Sequence, residues 1–268
     1  MNTGPFFKFY INSSIHVGLA VVAFTEISRF HLDLPVDYLL LLFIFLGTIT
    51  GYNFVKYARL AGFRRRNLSK GLQSIQLFSL CCFAGLVWTA FFVKTPVLVV
   101  AILLGALNVL YALPLIKRKN LRAIGGIKVF VISVIWAGVT VLFPVIDAGA
   151  PLQSENILLL VQRFFFVLVL LLPFEIRDLR YDPPELRTLP QKLGVQNTKL
   201  LGLGLLALIA LMNFFKDVPP AVLAVDFFIY LLTAALVWKA SVDRHPLFTT
   251  FWVEGIPLLW GVLLWITW

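Results

Sequence analysis

Residues 157–176 read ILLLVQRFFFVLVLLLPFEI, with charges only at Arg163 and Glu175. About 20 mostly apolar residues in a helix cross a hydrocarbon core of roughly 30 Å. Lipid offers the backbone no hydrogen bonds, so such a run must satisfy its own by coiling into a helix. Eight similar runs follow when the reading moves outward, at roughly 11–29, 36–56, 72–93, 96–116, 124–146, 199–215, 219–239 and 249–268. Pro35, Pro96, Pro151, Pro183, Pro184, Pro219, Pro220 and Pro246 fall at or near their ends, as helix punctuation should. Strand-type alternation is absent, which argues against a membrane barrel.

Composition agrees. The chain has 268 residues, 60% hydrophobic and 13% charged, against about 25% charged in a typical soluble domain. Mean hydropathy is +0.92. No long polar stretch exists to build a soluble domain on one anchor, so residues 1–268 read as a single membrane domain. Lys8 before the first run resembles a signal-peptide start, but His16 and Glu26 interrupt that run and no small-residue cleavage site follows. It reads as the first membrane helix. Cys81 and Cys82 are helix neighbours and cannot readily bridge. His16, His31 and His245 lie too far apart to suggest a histidine metal site.

Net charge is +10 and the pI about 9.8. The cations sit between apolar runs, so they read as membrane topology and not as nucleic-acid binding. The N-terminus and the loops after the second, fourth, sixth and eighth runs hold 19 Lys and Arg, and the opposite side holds 4. That asymmetry predicts a cytoplasmic N-terminus, an external C-terminus and residence in the cell (inner) membrane. The polar clusters that end the second and sixth helices suggest a two-fold bundle organisation.

The densest chemistry is Glu175-xx-Asp178-xxx-Asp182. At about 3.6 residues per turn the three carboxylates share one helix face and repel one another. Mg2+ bound with substrate phosphates would compensate them. The other reading is a solvated helix end with Arg177 and Arg180 as partners. After Pro183 and Pro184 the stretch to Gly194 reads as an ordered cytoplasmic loop. Tyr111-xx-Pro114-xx-Lys117 with Arg118 and Lys119 forms a basic end suited to phosphate, or to topology alone. Glu26, Glu254 and His16 are polar groups within apolar runs, with structural pairing as their first reading. The 25 Phe suit a chain tunnel with cation–π potential, or lipid contact.

Glu175-xx-Asp178-xxx-Asp182 followed by Arg187-Thr188-Leu189-Pro190-xx-Leu193-Gly194 resembles the second aspartate-rich motif of the UbiA superfamily of intramembrane prenyltransferases. The Tyr111–Lys117 loop resembles that family's tyrosine–proline–basic loop. The resemblance covers essentially the whole chain. It implies a nine-helix all-α bundle around a central cavity open to the cytoplasmic loops. It also implies transfer of an isoprenyl group from a prenyl diphosphate to a lipophilic acceptor in the membrane lipid. Asp178, Asp182 and Asn53 would then be catalytic, and Glu175, Asp178 and Asp182 would hold Mg2+. Lys56, Tyr111, Lys117, Arg118 and Lys119 would bind substrate. The family's first motif is an asparagine with aspartates four and eight residues on. Here Asn53 is followed by Tyr57 and Ala61. The loss of both aspartates implies one metal ion instead of two, with Lys56, Arg59 and the Arg64–Arg66 run taking up phosphate charge. The alternative is a non-catalytic protein of this fold that binds or moves an isoprenoid or other lipid.

Overall fold

The computed structural model describes residues 4–61, 70–112 and 126–267. Pro114, Lys117, Arg118, Lys119 and the Arg64–Arg66 run lie outside the described residues. Among the described residues nine helical spans are long and apolar enough to cross a membrane. The chain is an integral membrane protein. Its helices are α1 (Pro5–Asn12), α2 (Ile15–Leu32), α3 (Tyr38–Ala61), α4 (Lys70–Ala90) and α5 (Thr95–Ala112). Next come α6 (Ile127–Ala137), a π turn over Gly138–Leu142 and α7 (Phe143–Asp147), which together make one span. Then follow α8 (Ser154–Asp178), α9 (Leu189–Met212), α10 (Pro220–Lys239), a π turn over Phe248–Val253 and α11 (Ile256–Thr267).

Local chemistry sets the boundaries. Asp37 Oδ1 accepts the backbone N–H groups of Leu39 and Leu40 at 2.7 and 3.0 Å, capping α3. The Asn156 side chain accepts the Gln153 N–H at 2.7 Å ahead of α8. Pro173 lies inside α8 without ending it.

Two sequence expectations change. The first span does not begin at residue 11. Residues 5–12 form the separate helix α1, and Ser14, with φ at 64°, turns the chain before α2 starts at Ile15. Nor does the stretch from Pro183 to Gly194 stay a loop. A short 3-10 turn at Pro184–Leu186 leads into α9, which starts at Leu189 with Pro190 in its first turn. Proline fits there because a first-turn N–H has no helical partner to lose. The sequence reading took these prolines only as stops.

Gly194, inside α9, has φ 77° and ψ 163°, a region open essentially to glycine alone. Gly194→Ala should therefore cost about 1–3 kcal/mol, read as a fall in melting temperature. Gly204→Ala, at an ordinary helical position with open space around its Cα, should leave stability intact or raise it.

The spans do not pack evenly. Aromatic rings fill one side of the bundle. Phe24 lies 5.9 Å from Phe166 and 6.2 Å from Trp260, and Phe166 lies 5.0 Å from Trp260, centroid to centroid. Gly202 of α9 lets Leu172 and Val237 approach so closely that a Cβ would meet them at 2.9 and 3.1 Å. On the other side α4 and α5 are mostly exposed, and although consecutive in the chain they barely touch. Trp88, Phe91, Phe92, Phe214, Phe215 and Trp265 are exposed near helix ends, as an aromatic belt at a lipid interface requires.

Candidate functional site

The ends of α3, α5 and α8 and the starts of α6 and α11 bring charged groups together. Lys128 Nζ lies 2.6 Å from Glu175 Oε1, and both side chains are largely buried. Arg177 binds Asp178 Oδ1 at 2.8 Å and also donates to Thr249 Oγ1 of the second π turn. Glu254, on the next turn of chain, lies within electrostatic reach of Lys56 and Arg177. Tyr111 is buried at the end of α5, within electrostatic reach of Lys128. Lys56, Lys128 and Arg177 thus face Glu175, Asp178, Asp182 and Glu254.

The three carboxylates do not all sit on one helix. The helix α8 stops at Asp178, and Asp182 lies one turn beyond. It keeps helical register because the Asp182 N–H bonds the Asp178 carbonyl at 2.9 Å. Gln191 braces this turn by donating to the Asp182 and Pro183 carbonyls at 3.0 and 3.2 Å, while its own Oε1 accepts the Thr188 N–H. The Gly126 N–H reaches the Leu186 carbonyl and ties the turn to the start of α6. Sequence reasoning passed over Gln191 and gave Lys128 no role beyond topology. An amide three residues after Thr188 is the signal of a helix cap and was there to be read.

Among the described residues no group of three or more His, Cys, Asp or Glu is gathered as a metal centre. Glu175 already has Lys128 as its counter-ion. Glu175 Oε1 and Asp182 Oδ2 are both buried without a hydrogen-bond partner, but among the described residues only Glu175 has a cation against it. A buried carboxylate oxygen without a donor favours a bound cation. Asp178, like Glu175, already has a cation against it, Arg177 at 2.8 Å.

Asn53 has other partners. Its amide accepts from Ser14 Oγ at 2.8 Å and donates to the Ser13 carbonyl at 3.0 Å and to Ser79 Oγ at 2.8 Å. Lys56 Nζ reaches Ser14 Oγ at 3.3 Å, and Tyr57 donates to the Asn12 carbonyl at 3.0 Å. Asn53, Lys56 and Tyr57 of α3 thus clasp the turn between α1 and α2. His16 adds to the clasp through Tyr10 Oη at 2.8 Å and the Phe251 carbonyl at 3.0 Å. Burial and the nearby Glu254 carboxylate push the Tyr10 phenol up. Tyr57→Phe should loosen this turn by about 1 kcal/mol, seen as faster backbone hydrogen exchange at residues 12–14.

A cavity of about 1070 Å3 lies between α3, α4, α5 and α6. Asn53 and Tyr57 line it, as do Trp136, Phe43, Phe83 and Phe143. Asp178 and Asp182 are not among the residues that line it. The wall opposite Asn53 and Tyr57 is α5 and α6. The aromatic packing of Phe24, Phe166 and Trp260 fills the space on the α8 side. Tyr52, on the cavity wall, connects the two regions through its electrostatic reach to Tyr111 and Glu254.

No protein-family model matches the chain, and no curated protein matches it in sequence. Solved structures do match in shape. A UbiA homologue from Aeropyrum pernix K1 in its apo form superposes with a TM-score of 0.65 at 11% identity, over 94% of this chain and 97% of that one. The fold is that of the UbiA homologues. A UbiA homologue from Archaeoglobus fulgidus bound to GPP and Mg2+ gives 0.63 at 12% identity, over 97% and 99%. A digeranylgeranylglyceryl phosphate synthase gives 0.59 at 13% identity, over 98% and 96%.

Proposed function

We propose that the protein is a UbiA-family prenyltransferase that moves an isoprenyl group from a prenyl diphosphate to a lipophilic acceptor. The observation that carries this reading is the Asp178–Asp182 turn, with a buried Asp182 oxygen lacking any donor, at the charged end of a UbiA-like bundle. Asp178 and Asp182 would hold one Mg2+ with the diphosphate, and Lys128 keeps Glu175 ionically matched beside them. The metal supplies charge stabilisation to the departing diphosphate. Arg177 fixes the Asp178 carboxylate, and Lys56 with the Lys117, Arg118 and Lys119 cations adds positive charge toward the phosphates. The donor's C–O bond breaks with its electron pair leaving on the diphosphate, the acceptor forms the new bond to the same carbon, and the proton the acceptor loses passes to the diphosphate. The apolar cavity takes the hydrocarbon.

The test is purified protein with a panel of prenyl diphosphates in Mg2+ or EDTA, reading released diphosphate with a lipid extract as acceptor. Mg2+-dependent release is expected. Binding of the prenyl diphosphates without any release in every lipid extract tried favours the second reading, a lipid-binding protein of this fold. That reading is supported by the use of Asn53 and Tyr57 to clasp the N-terminal turn.

The charge asymmetry also supports a cytoplasmic N-terminus. A cysteine at position 66 should react only from the cytoplasmic side, and one at the C-terminus only from outside. Labelling of both from one side refutes that topology.

A further inference from the structure

Glu175 and Lys128 are unequally placed. The Glu175 side chain is 3% exposed and that of Lys128 18%, with Lys128 Nζ 2.6 Å from Glu175 Oε1. The carboxylate lies behind the ammonium, so a ligand that comes from the exposed side meets the cation first. An ammonium has three N–H donors, and among the described residues its one ion pair is with Glu175. Arg177 is tied more fully. Its Nε and Nη2 both bind Asp178 Oδ1 at 2.8 Å, and its Nη1 donates to Thr249 Oγ1.

The place of Lys128 is fixed from two directions. It lies in the first turn of α6, and the Gly126 N–H bond to the Leu186 carbonyl ties that helix start to the chain just beyond Asp182. Glu175, on α8, holds the other end of the side chain. Lys128 is also within electrostatic reach of Asp178, and Glu175 is within reach of Asp182. The ammonium therefore stands beside the Asp178–Asp182 turn, where the positive end of the α6 dipole adds to its charge. A free lysine side chain gives up rotamer freedom when it binds a ligand, and one already held in place gives up less.

We infer that Lys128 binds the diphosphate directly and that Glu175 is its positioning residue, a carboxylate that orients the ammonium and holds no metal ion. From the prenyl-transfer reading the inference takes only that the ligand carries a diphosphate. Three roles for Glu175 differ in their effects. A bare negative charge near the phosphates would repel them, and its loss would strengthen their binding. The loss of a metal ligand would matter in Mg2+ alone. The loss of the support of Lys128 weakens binding in Mg2+ and in EDTA alike.

The experiment measures calorimetric binding of inorganic pyrophosphate to the full-length protein in detergent, first in EDTA and then in Mg2+. Lys128→Gln should weaken binding about tenfold or more in both buffers, and Lys128→Arg, which keeps the charge, should retain most of it. Glu175→Gln should weaken binding about threefold to tenfold in both buffers. That variant strands the Lys128 charge, so Glu175→Gln is also combined with Lys128→Gln, which strands none. The double variant should bind no more weakly than Lys128→Gln alone, because Glu175 acts only through Lys128. Unchanged or tighter binding in Glu175→Gln, a Glu175 effect confined to Mg2+, or additive losses in the double variant overturns the inference. Native protein that binds pyrophosphate in neither buffer overturns it as well, while release of diphosphate from prenyl donors still judges the prenyl-transfer reading on its own. Binding that follows these variants in a protein that releases no diphosphate from any donor upholds the Lys128–Glu175 pair and refutes the transferase reading instead.

Discussion

Asp182→Asn and Asp178→Asn should each abolish Mg2+-dependent binding of a prenyl diphosphate while the protein still folds. Asp182 Oδ2 is buried with no donor of its own, so the asparagine change removes a negative ligand and breaks no internal ion pair. Asp178 is held by Arg177, and its loss also frees that guanidinium to repel the metal. Loss of one of only two carboxylates on a single ion leaves too little negative charge to hold it at millimolar Mg2+. Glu175→Gln should behave differently. It leaves Lys128 without its counter-ion at 2.6 Å, so its first effect is a lower melting temperature. The check is calorimetric or filter binding in Mg2+ and in EDTA, with thermal unfolding run on each variant. Full Mg2+-dependent binding in both aspartate variants would reduce this turn to a solvated helix end.

Asp226→Leu should destabilise the protein by about 3–5 kcal/mol, more than any change on the lipid-facing surface. Asp226 is fully buried in α10. His31 Nε2 meets its Oδ2 at 2.8 Å, the Trp260 indole N–H donates to Oδ1 at 2.9 Å, and the Asn213 amide donates to Oδ2 at 3.1 Å. Gln162 extends the network to Asn213 at 2.9 Å. Arg163, 2% exposed, donates to Ser28 Oγ at 3.0 Å and lies 4.1 Å from the centre of the Phe24 ring. Removal of the carboxylate strands these donors and takes away a negative charge within electrostatic reach of the Arg163 guanidinium. Asp226→Asn, which keeps an acceptor for Trp260, should lose less. Thermal unfolding in one detergent, followed by tryptophan fluorescence, measures all three proteins. An Asp226→Leu variant as stable as the native chain would mean that aromatic packing alone holds α2, α8, α10 and α11 together.

Much of the candidate site was legible and part of it was not, for separable reasons. The spacing of Glu175, Asp178 and Asp182 is local, and one turn of chain decides which way they face. Their partners are not local. Lys128 lies on a different helix, and nothing in its neighbourhood marks it out from the other cations near helix ends. The resemblance makes Asn53 catalytic from its place in a motif, and its amide is engaged by Ser13, Ser14 and Ser79. A motif specifies a position on a helix and cannot specify which segment packs against it.

By itself the sequence determined the membrane spans, their order and most of their ends. That follows because the hydrocarbon thickness, the backbone's need for internal hydrogen bonds and the geometry of proline act on contiguous residues. It also determined that three carboxylates fall on successive turns. Only the tertiary structure decided that His31 meets Asp226, 195 residues away, that the α1–α2 turn lies on the face of Asn53 and Tyr57, and that residues of α3, α4, α5 and α6 line one cavity. Those outcomes depend on how far each helix rotates and how closely it packs. Rotation is set by the fit of Phe24, Phe166 and Trp260 across three helices and by close approaches such as that at Gly202. No single segment contains that information.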